Sequence, residues 1–432
     1  MTIFGILWML LIVICMFSSF ENIAALTIIS ATIQCSNVLV LNGSGIGPQV
    51  ITSIAFILRV WLSRRNFKIT LYRQKIELII GVTFLNLSVL LSSVVNSVLS
   101  KNFARMAQLY VYAFCFFSMF YVGKFVSDNF IYWLIRKLTI ALLVIGLLQL
   151  CITTGIFPRF SIVRELLYND TTSDVIYYTR NNYFRILSTY MEPSYFAGFA
   201  VGSFYYFLSY REKRKENICL LVGLLIEILL TFSSSAYVAL VFAGMIFLAS
   251  SKEKKLKFEI IMASVVGFAI MYLFFFDVLD LVIFSKASSG SGVARHGWNV
   301  IAMREFNTSP FWGVGYKMSR GSSIIYTILS ELGILGMIVY TILNFIVVLP
   351  ILSEKRKMSD AQKGLRFAIL SVVLTQLIAV PDVDICTYWM WMNLLALCVA
   401  SEHEAKRSLN ESEKVYKKFV VCTFCASDFF DV

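Results

Sequence analysis

Long apolar runs recur along the chain, and short clusters of basic residues separate them. A helix that crosses a bilayer core needs about 20 consecutive apolar residues. By that measure the candidate spans are 2–20, 23–41, 47–62, 77–99, 107–123, 134–153, 192–209, 218–233, 236–250, 259–276, 323–350, 367–380 and 386–400. The runs are continuous and do not alternate apolar with polar, which excludes a transmembrane β-barrel. In lipid, only a helix satisfies its own backbone. The pattern therefore predicts an all-α, polytopic integral membrane protein with about 12–13 transmembrane helices. It reads as a single membrane domain over 1–432, with residues 401–432 as a polar tail. Segment 323–350 is long for one span and must tilt or protrude. The opening segment, 2–20, reads as a retained membrane helix and not as a signal peptide, because no basic region precedes it.

Two stretches break the rhythm. Residues 154–191 and 277–322 are long connections between short ones, and structureless loops of that length are usually functional. Residues 288–292 (SSGSG) read as a flexible stretch in the second. The glycine-rich 43–47 (GSGIG) follows an apolar run and reads as a turn, because it carries no phosphate-binding pattern.

Composition agrees with the pattern. The chain of 432 residues is 58% apolar and only 15% charged, with a mean hydropathy of +0.76. A soluble domain is about 45–50% apolar and 25% charged. A soluble enzyme, a disordered chain and a secreted disulfide scaffold are excluded. Most of the nine cysteines lie inside apolar runs, where Cys acts as a small apolar residue. Cys422 and Cys425 form one CxxC in the tail, without the second ligand pair that a zinc site needs.

The net charge of +12 changes the picture through its distribution. The cations cluster in 63–75, 124–137, 211–217, 251–258, 353–366 and the tail, on alternate loops from 63–75 onward. This is the pattern of cytoplasmic loops and not of nucleic-acid binding. It makes the C-terminus cytoplasmic and the two long loops, 154–191 and 277–322, external. Three spans before 63–75 put the N-terminus outside, whereas two spans or a re-entrant hairpin put it inside.

The external loops nonetheless carry cations. The first holds Arg159, Arg164, Arg180 and Arg185, and the second Lys286, Arg295, Arg304, Lys317 and Arg320. Long loops escape the positive-inside bias, so solvated arginines are the plain alternative. As a set, Arg180, Arg185, Arg295 and Arg304 suit a diphosphate, because the guanidinium fork matches phosphate oxygens bidentately. Tyr177, Tyr178, Tyr183, Tyr190, Trp298, Phe311, Trp312 and Tyr316 suit stacking on sugars, and suit a membrane interface equally. Glu192 precedes Pro193 where a helix should begin, so it is either a capping carboxylate or a base beside Arg185. His296 is the only histidine expected on that side, and an imidazole suits general-base work. Glu331 sits inside a predicted span near Gly333 and Gly336, a costly place for a carboxylate unless it faces a cavity. Glu227 lies deeper, with no assigned role. No P-loop is present.

Two stretches carry a family resemblance. Arg185 followed by Glu192-Pro193-Ser194, Phe196 and Ala197 is the first. The second is Arg295 and Trp298, then Phe306, Ser309-Pro310, Gly313 and Gly315, closed by Glu331, Gly333 and Gly336. In order and spacing these resemble the Wzy-type O-antigen and capsular repeat-unit polymerases, which share a superfamily with the O-antigen ligases. The resemblance implies a metal-independent glycosyltransferase without a cofactor, in the bacterial inner membrane. Donor and acceptor would be polyprenyl-diphosphate-linked oligosaccharides, and a chain-length regulator a possible partner. Arg180, Arg185, Arg295 and Arg304 would bind the diphosphate. Glu192, ahead of His296, would take the acceptor proton, and Glu331 would support the site. Ligases, and many polymerases, carry a His-Asn pair before the last helix, and residues 317–323 here contain none. A ligase and a lipid-linked-oligosaccharide flippase or transporter are the alternatives.

Overall fold

The computed structural model describes residues 2–41, 44–63, 72–153, 179–180, 183–251, 253–255, 257–259, 261–262, 290–353 and 358–427. The expected span 259–276 lies almost wholly outside these residues. So do most of the basic loop 63–75, Arg159, Arg164, Tyr177, Tyr178, Lys286 and the side chains of Arg180, Tyr183, Cys422 and Cys425.

The described chain is helical apart from two short hairpins. Its helices are α1 (Ile3–Met16), α2 (Phe20–Ser30), α3 (Pro48–Leu62), α4 (Arg73–Val95), α5 (Leu99–Val122), α6 (Asp128–Thr153), α7 (Pro193–Ser209), α8 (Ile218–Leu230), α9 (Ser234–Ser250), α10 (Gly290–Thr308), α11 (Ile324–Leu352), α12 (Asp360–Gln376) and α13 (Cys386–Ser427). Strands β1 (Leu39–Leu41) and β2 (Ser44–Ile46) pair antiparallel, as do β3 (Thr179–Arg180) and β4 (Tyr183–Phe184). Four of the helical stretches are long and apolar enough to cross a membrane: Arg73–Val95, Leu99–Phe125, Asn129–Ile152 and Ile324–Leu352.

Apolar side chains are displayed outward as well as inward. On α6, Ile140, Val144, Leu147 and Leu148 are exposed, and on α11, Ile338, Ile342, Phe345 and Leu349. These are stripes at helical spacing, and a soluble protein rarely leaves such patches in water. The centre is formed by α7, α12 and α13. Residues 388–400 of α13 are at most 3% exposed on every side, as expected of a helix that is apolar all round. Close approach of α7 to α12 depends on small residues: a Cβ on Gly202 would press on the Ala368 carbonyl and the Trp391 indole. Phe199 then stacks on Trp391, with ring centroids 5.8 Å apart.

Contacts between connections sort into two ends. At one, Arg136 faces Glu216, Arg214 pairs with Glu253 at 3.2 Å, the Arg211 amide donates to Asp360 and Gln362 donates to Glu402. Every cluster here adjoins a basic stretch. At the other, Gln34 donates to Thr387, Arg185 to the Thr231 carbonyl and Asn96 to the Gly313 carbonyl. The Thr2 hydroxyl donates to the Asn37 carbonyl, so α1 starts at this far end. Arg59 donates to the Ser18 carbonyl, so α1 ends near the basic one. Three helices therefore precede the first basic loop. The expected span 23–41 is corrected, because α2 stops at Ser30 and residues 39–41 pair with 44–46. Of the glycine-rich stretch, Ser44, Gly45 and Ile46 form β2.

Three further expectations are corrected. The end of the first long loop is buried: Ile186, Leu187, Ser188 and Tyr190 are at most 1% exposed. Gln149 Oε1 accepts the amides of Leu187 and Ser188, and the Thr189 carbonyl accepts the Gln34 amide. Tyr190 packs between Phe196 and Phe199 and is no sugar platform. Gly290, Ser291 and Gly292, read as part of a flexible stretch, instead open α10. Residues 401–427 of the tail continue α13. Arg366 is not a loop cation: it is 1% exposed within α12 and donates to the Ile346 and Val347 carbonyls. Pro350 has no amide to bond Ile346, and Arg366 supplies the missing donor.

Candidate functional site

The long helix α11 is broken. Gly333 has φ +67° and ψ −166°, a conformation closed to residues with a Cβ. The connection 309–317 docks into the break backbone to backbone. Val314 donates to the Ser330 carbonyl at 2.8 Å, Gly315 to Glu331 at 3.0 Å, and Ile334 to Pro310 at 2.9 Å. Gly313, at φ +70°, faces the Glu331 carbonyl group, and Gly333 faces that of Phe311. A Cβ on either would collide with backbone. The two halves of the second sequence motif are thus one structural unit.

The α4–α5 corner holds this unit from the side. Ser92 Oγ donates to the Glu331 carbonyl at 2.7 Å, Asn96 Nδ2 to Gly313 at 2.8 Å, and Asn102 Nδ2 to Tyr316 at 2.9 Å. The chain then turns through Lys317 at φ +57°. A non-glycine residue there costs about 1–3 kcal/mol and marks a place where the surroundings impose the conformation. The imposing contacts are ionic. Lys317 Nζ lies 2.5 Å from Asp382 Oδ1 and 2.8 Å from Asp384 Oδ1, with all three side chains largely buried. Asp382 Oδ2 accepts from the Tyr195 hydroxyl at 3.2 Å and lies 3.9 Å from Arg320. Its backbone carbonyl accepts from Gln376, which in turn accepts from Tyr340.

Burial opposes the charge on Lys317, but Asp384, Asp382 and Glu331 more than offset it and hold the ammonium above the usual lysine range. Burial likewise opposes ionisation of Asp382, and Lys317 reverses that, holding the carboxyl below its usual range. Both groups are charged at neutral pH.

These residues wall a cavity of about 600 Å³ at the end opposite the basic loops. Arg105 comes from α5, Ile301 and Glu305 from α10, Lys317 and Arg320 from the docked connection, Glu331 from α11, and Asp382 and Asp384 from the α12–α13 turn. Arg320 and Arg105 are exposed, and Glu331 is 1% exposed. Anion-binding groups therefore stand outward of a carboxylate-rich floor, with Lys317 between. Among the described residues, no group of three or more His, Cys, Asp or Glu is arranged to hold a metal.

Of the residues named from sequence, Lys317, Arg320 and Glu331 line this cavity, and Glu192, Arg185, Arg295, His296 and Arg304 do not. Glu192 is the N-cap of α7 with Pro193 following, as expected, but its Oε2 accepts from Ser194 Oγ and not from a helix amide. Tyr195, one turn into α7, connects this corner to Asp382. Arg185 Nε donates to the Thr231 carbonyl. Arg180 ends β3. Arg295, His296 and Arg304 all lie on α10. His296 is exposed; nine positions from Glu305, it points to the opposite face at 3.6 residues per turn. Glu227 is 1% exposed and neither of its oxygens has a hydrogen-bond partner among the described residues.

Sequence reasoning missed Arg105, Glu305, Asp382 and Asp384 as site residues. A short acidic turn between two apolar runs was the available signal. No family model matches the chain, and no curated protein matches it in sequence.

Proposed function

We propose that the chain is a glycosyltransferase that joins polyprenyl-diphosphate-linked oligosaccharide repeat units at the external face of a bacterial inner membrane. The cavity walled by Lys317, Glu331 and Asp382 is its active site, and the C-terminus is cytoplasmic. One observation carries this reading. The polymerase-like motifs at 306–315 and 331–336 close on each other and present a charged cavity at the end away from the basic loops. On the positive-inside argument that end is external.

In this reading the leaving diphosphate meets Arg105 and Arg320, with Arg295 and Arg304 on the neighbouring α10. Preorganised donors aimed at charge that develops on a leaving group are each worth about 3–4 kcal/mol. The apolar faces of the surrounding helices accommodate the polyprenyl chains. A transporter would need a polar passage. Residues 388–400, at the centre of the bundle, are packed solid instead.

Deleting the gene and running the surface polysaccharide on a gel tests the proposal. The expected result is loss of the ladder with one repeat unit still attached to its acceptor. Long polymer accumulating on the lipid carrier would mean a ligase. Single units trapped on the cytoplasmic leaflet would mean a flippase, and an unchanged ladder would remove the glycan reading altogether.

A further inference from the structure

Four carboxylates wall the cavity, and they are not equivalent. Asp382 commits one oxygen to Lys317 and the other to Tyr195. Asp384 is bound to Lys317 at 2.8 Å. Glu331 lies at the floor, 1% exposed, with its carboxyl turned to the Lys317 backbone amide. The two aspartates, both bound to the same ammonium, are poor proton acceptors.

Glu305 approaches from the other wall. It is half-buried on α10, and its Oε2 is enclosed without a hydrogen-bond partner among the described residues. The helix that carries it is anchored, because Asn299 Oδ1 accepts the Ser322 amide at 2.9 Å and Ala302 is fully buried. Leaving a carboxylate oxygen enclosed and unpaired costs more than leaving a neutral polar atom so. Such an atom beside a cavity calls for a donor from a ligand.

We propose that Glu305 is the general base of this site and takes the proton of the acceptor hydroxyl. The assignment rests on the glycosyl-transfer reading above. The acceptor oxygen forms its bond to the anomeric carbon of the donor sugar. The bond from that carbon to the diphosphate oxygen breaks, and its electron pair leaves with the diphosphate toward Arg105 and Arg320. The hydroxyl proton passes to the Glu305 carboxylate.

The test uses the full-length protein in liposomes, with the single-unit lipid-linked glycan extracted from the deletion strain as both donor and acceptor. Glu305→Gln should lower kcat by about 100- to 10,000-fold with little change in KM. Glu305→Asp should recover part of the rate, and Glu259→Gln, at the basic end, should behave as wild type. An active wild type with Glu305→Gln within a few-fold of it overturns the base assignment alone. So does a loss in Glu305→Gln that only tracks its folded yield. A wild type that leaves the glycan unextended overturns the transferase reading and this assignment together.

Discussion

Lys317→Met should leave a protein that is markedly less stable and makes no polymer. The substitution strands Asp382 and Asp384, both on the same ammonium, in a largely buried turn. Removing one partner of a buried pair costs about 3–5 kcal/mol, chiefly because the remaining charge is uncompensated. Thermal unfolding of the detergent-solubilised chain measures this directly. Adding Asp382→Asn and Asp384→Asn to Lys317→Met should return much of the stability and none of the activity. A Lys317→Met protein as stable as wild type would contradict the account of this cluster. The pH dependence has a definite sign. Asp382 is held below its usual range, so its contribution is complete above the unfolded value of about 4 and is lost as pH falls below it. Lys317 is held above its usual range, so its contribution is full below about 10 and is lost only in strong alkali.

Gly333→Ala carries the second large effect. The residue occupies a glycine-only conformation, and a Cβ would strike the Phe311 carbonyl. Backbone cannot swing away as a side chain can. Both the conformational cost and the collision act at once, so a loss of more than about 3 kcal/mol is expected. The protein should fail to accumulate in membranes, as judged by quantitative immunoblotting. Gly297 provides the contrast. It lies in α10 with nothing within 4 Å of an added Cβ, so Gly297→Ala should be neutral or more stable by up to about 1 kcal/mol. Equal levels of Gly333→Ala and wild type would show that the docked loop does not need this break.

The long apolar helices were legible because length and continuity report directly on a lipid environment. α4, α5, α6 and α11 all follow from that signal. The start of α7 followed from Glu192 and Pro193. The break at Gly333 was not legible as such, because apolar residues continue unbroken through it and only the glycine hinted at it. Nor was the pairing of Lys317 with Asp382, 65 residues further on. Apolar patterning reports which face meets lipid and is silent on which loops meet each other. For the same reason Arg366 read as a loop cation, and the burial of residues 186–190 was not foreseen. Arginines in long loops drew attention to α10 and the first loop. The cavity is instead centred on a lysine and on a three-residue acidic turn, Asp382-Val383-Asp384, too short to register as a feature.

The central claim is that this chain alone joins lipid-linked repeat units. Purified full-length protein, placed in liposomes with single-unit lipid-linked glycan from the deletion strain and no other protein, tests it most directly by mass spectrometry of the products. The account predicts dimers and longer oligomers on the lipid, with one polyprenyl diphosphate released for each bond formed. Glycan that stays at one unit, with no polyprenyl diphosphate released, would contradict it.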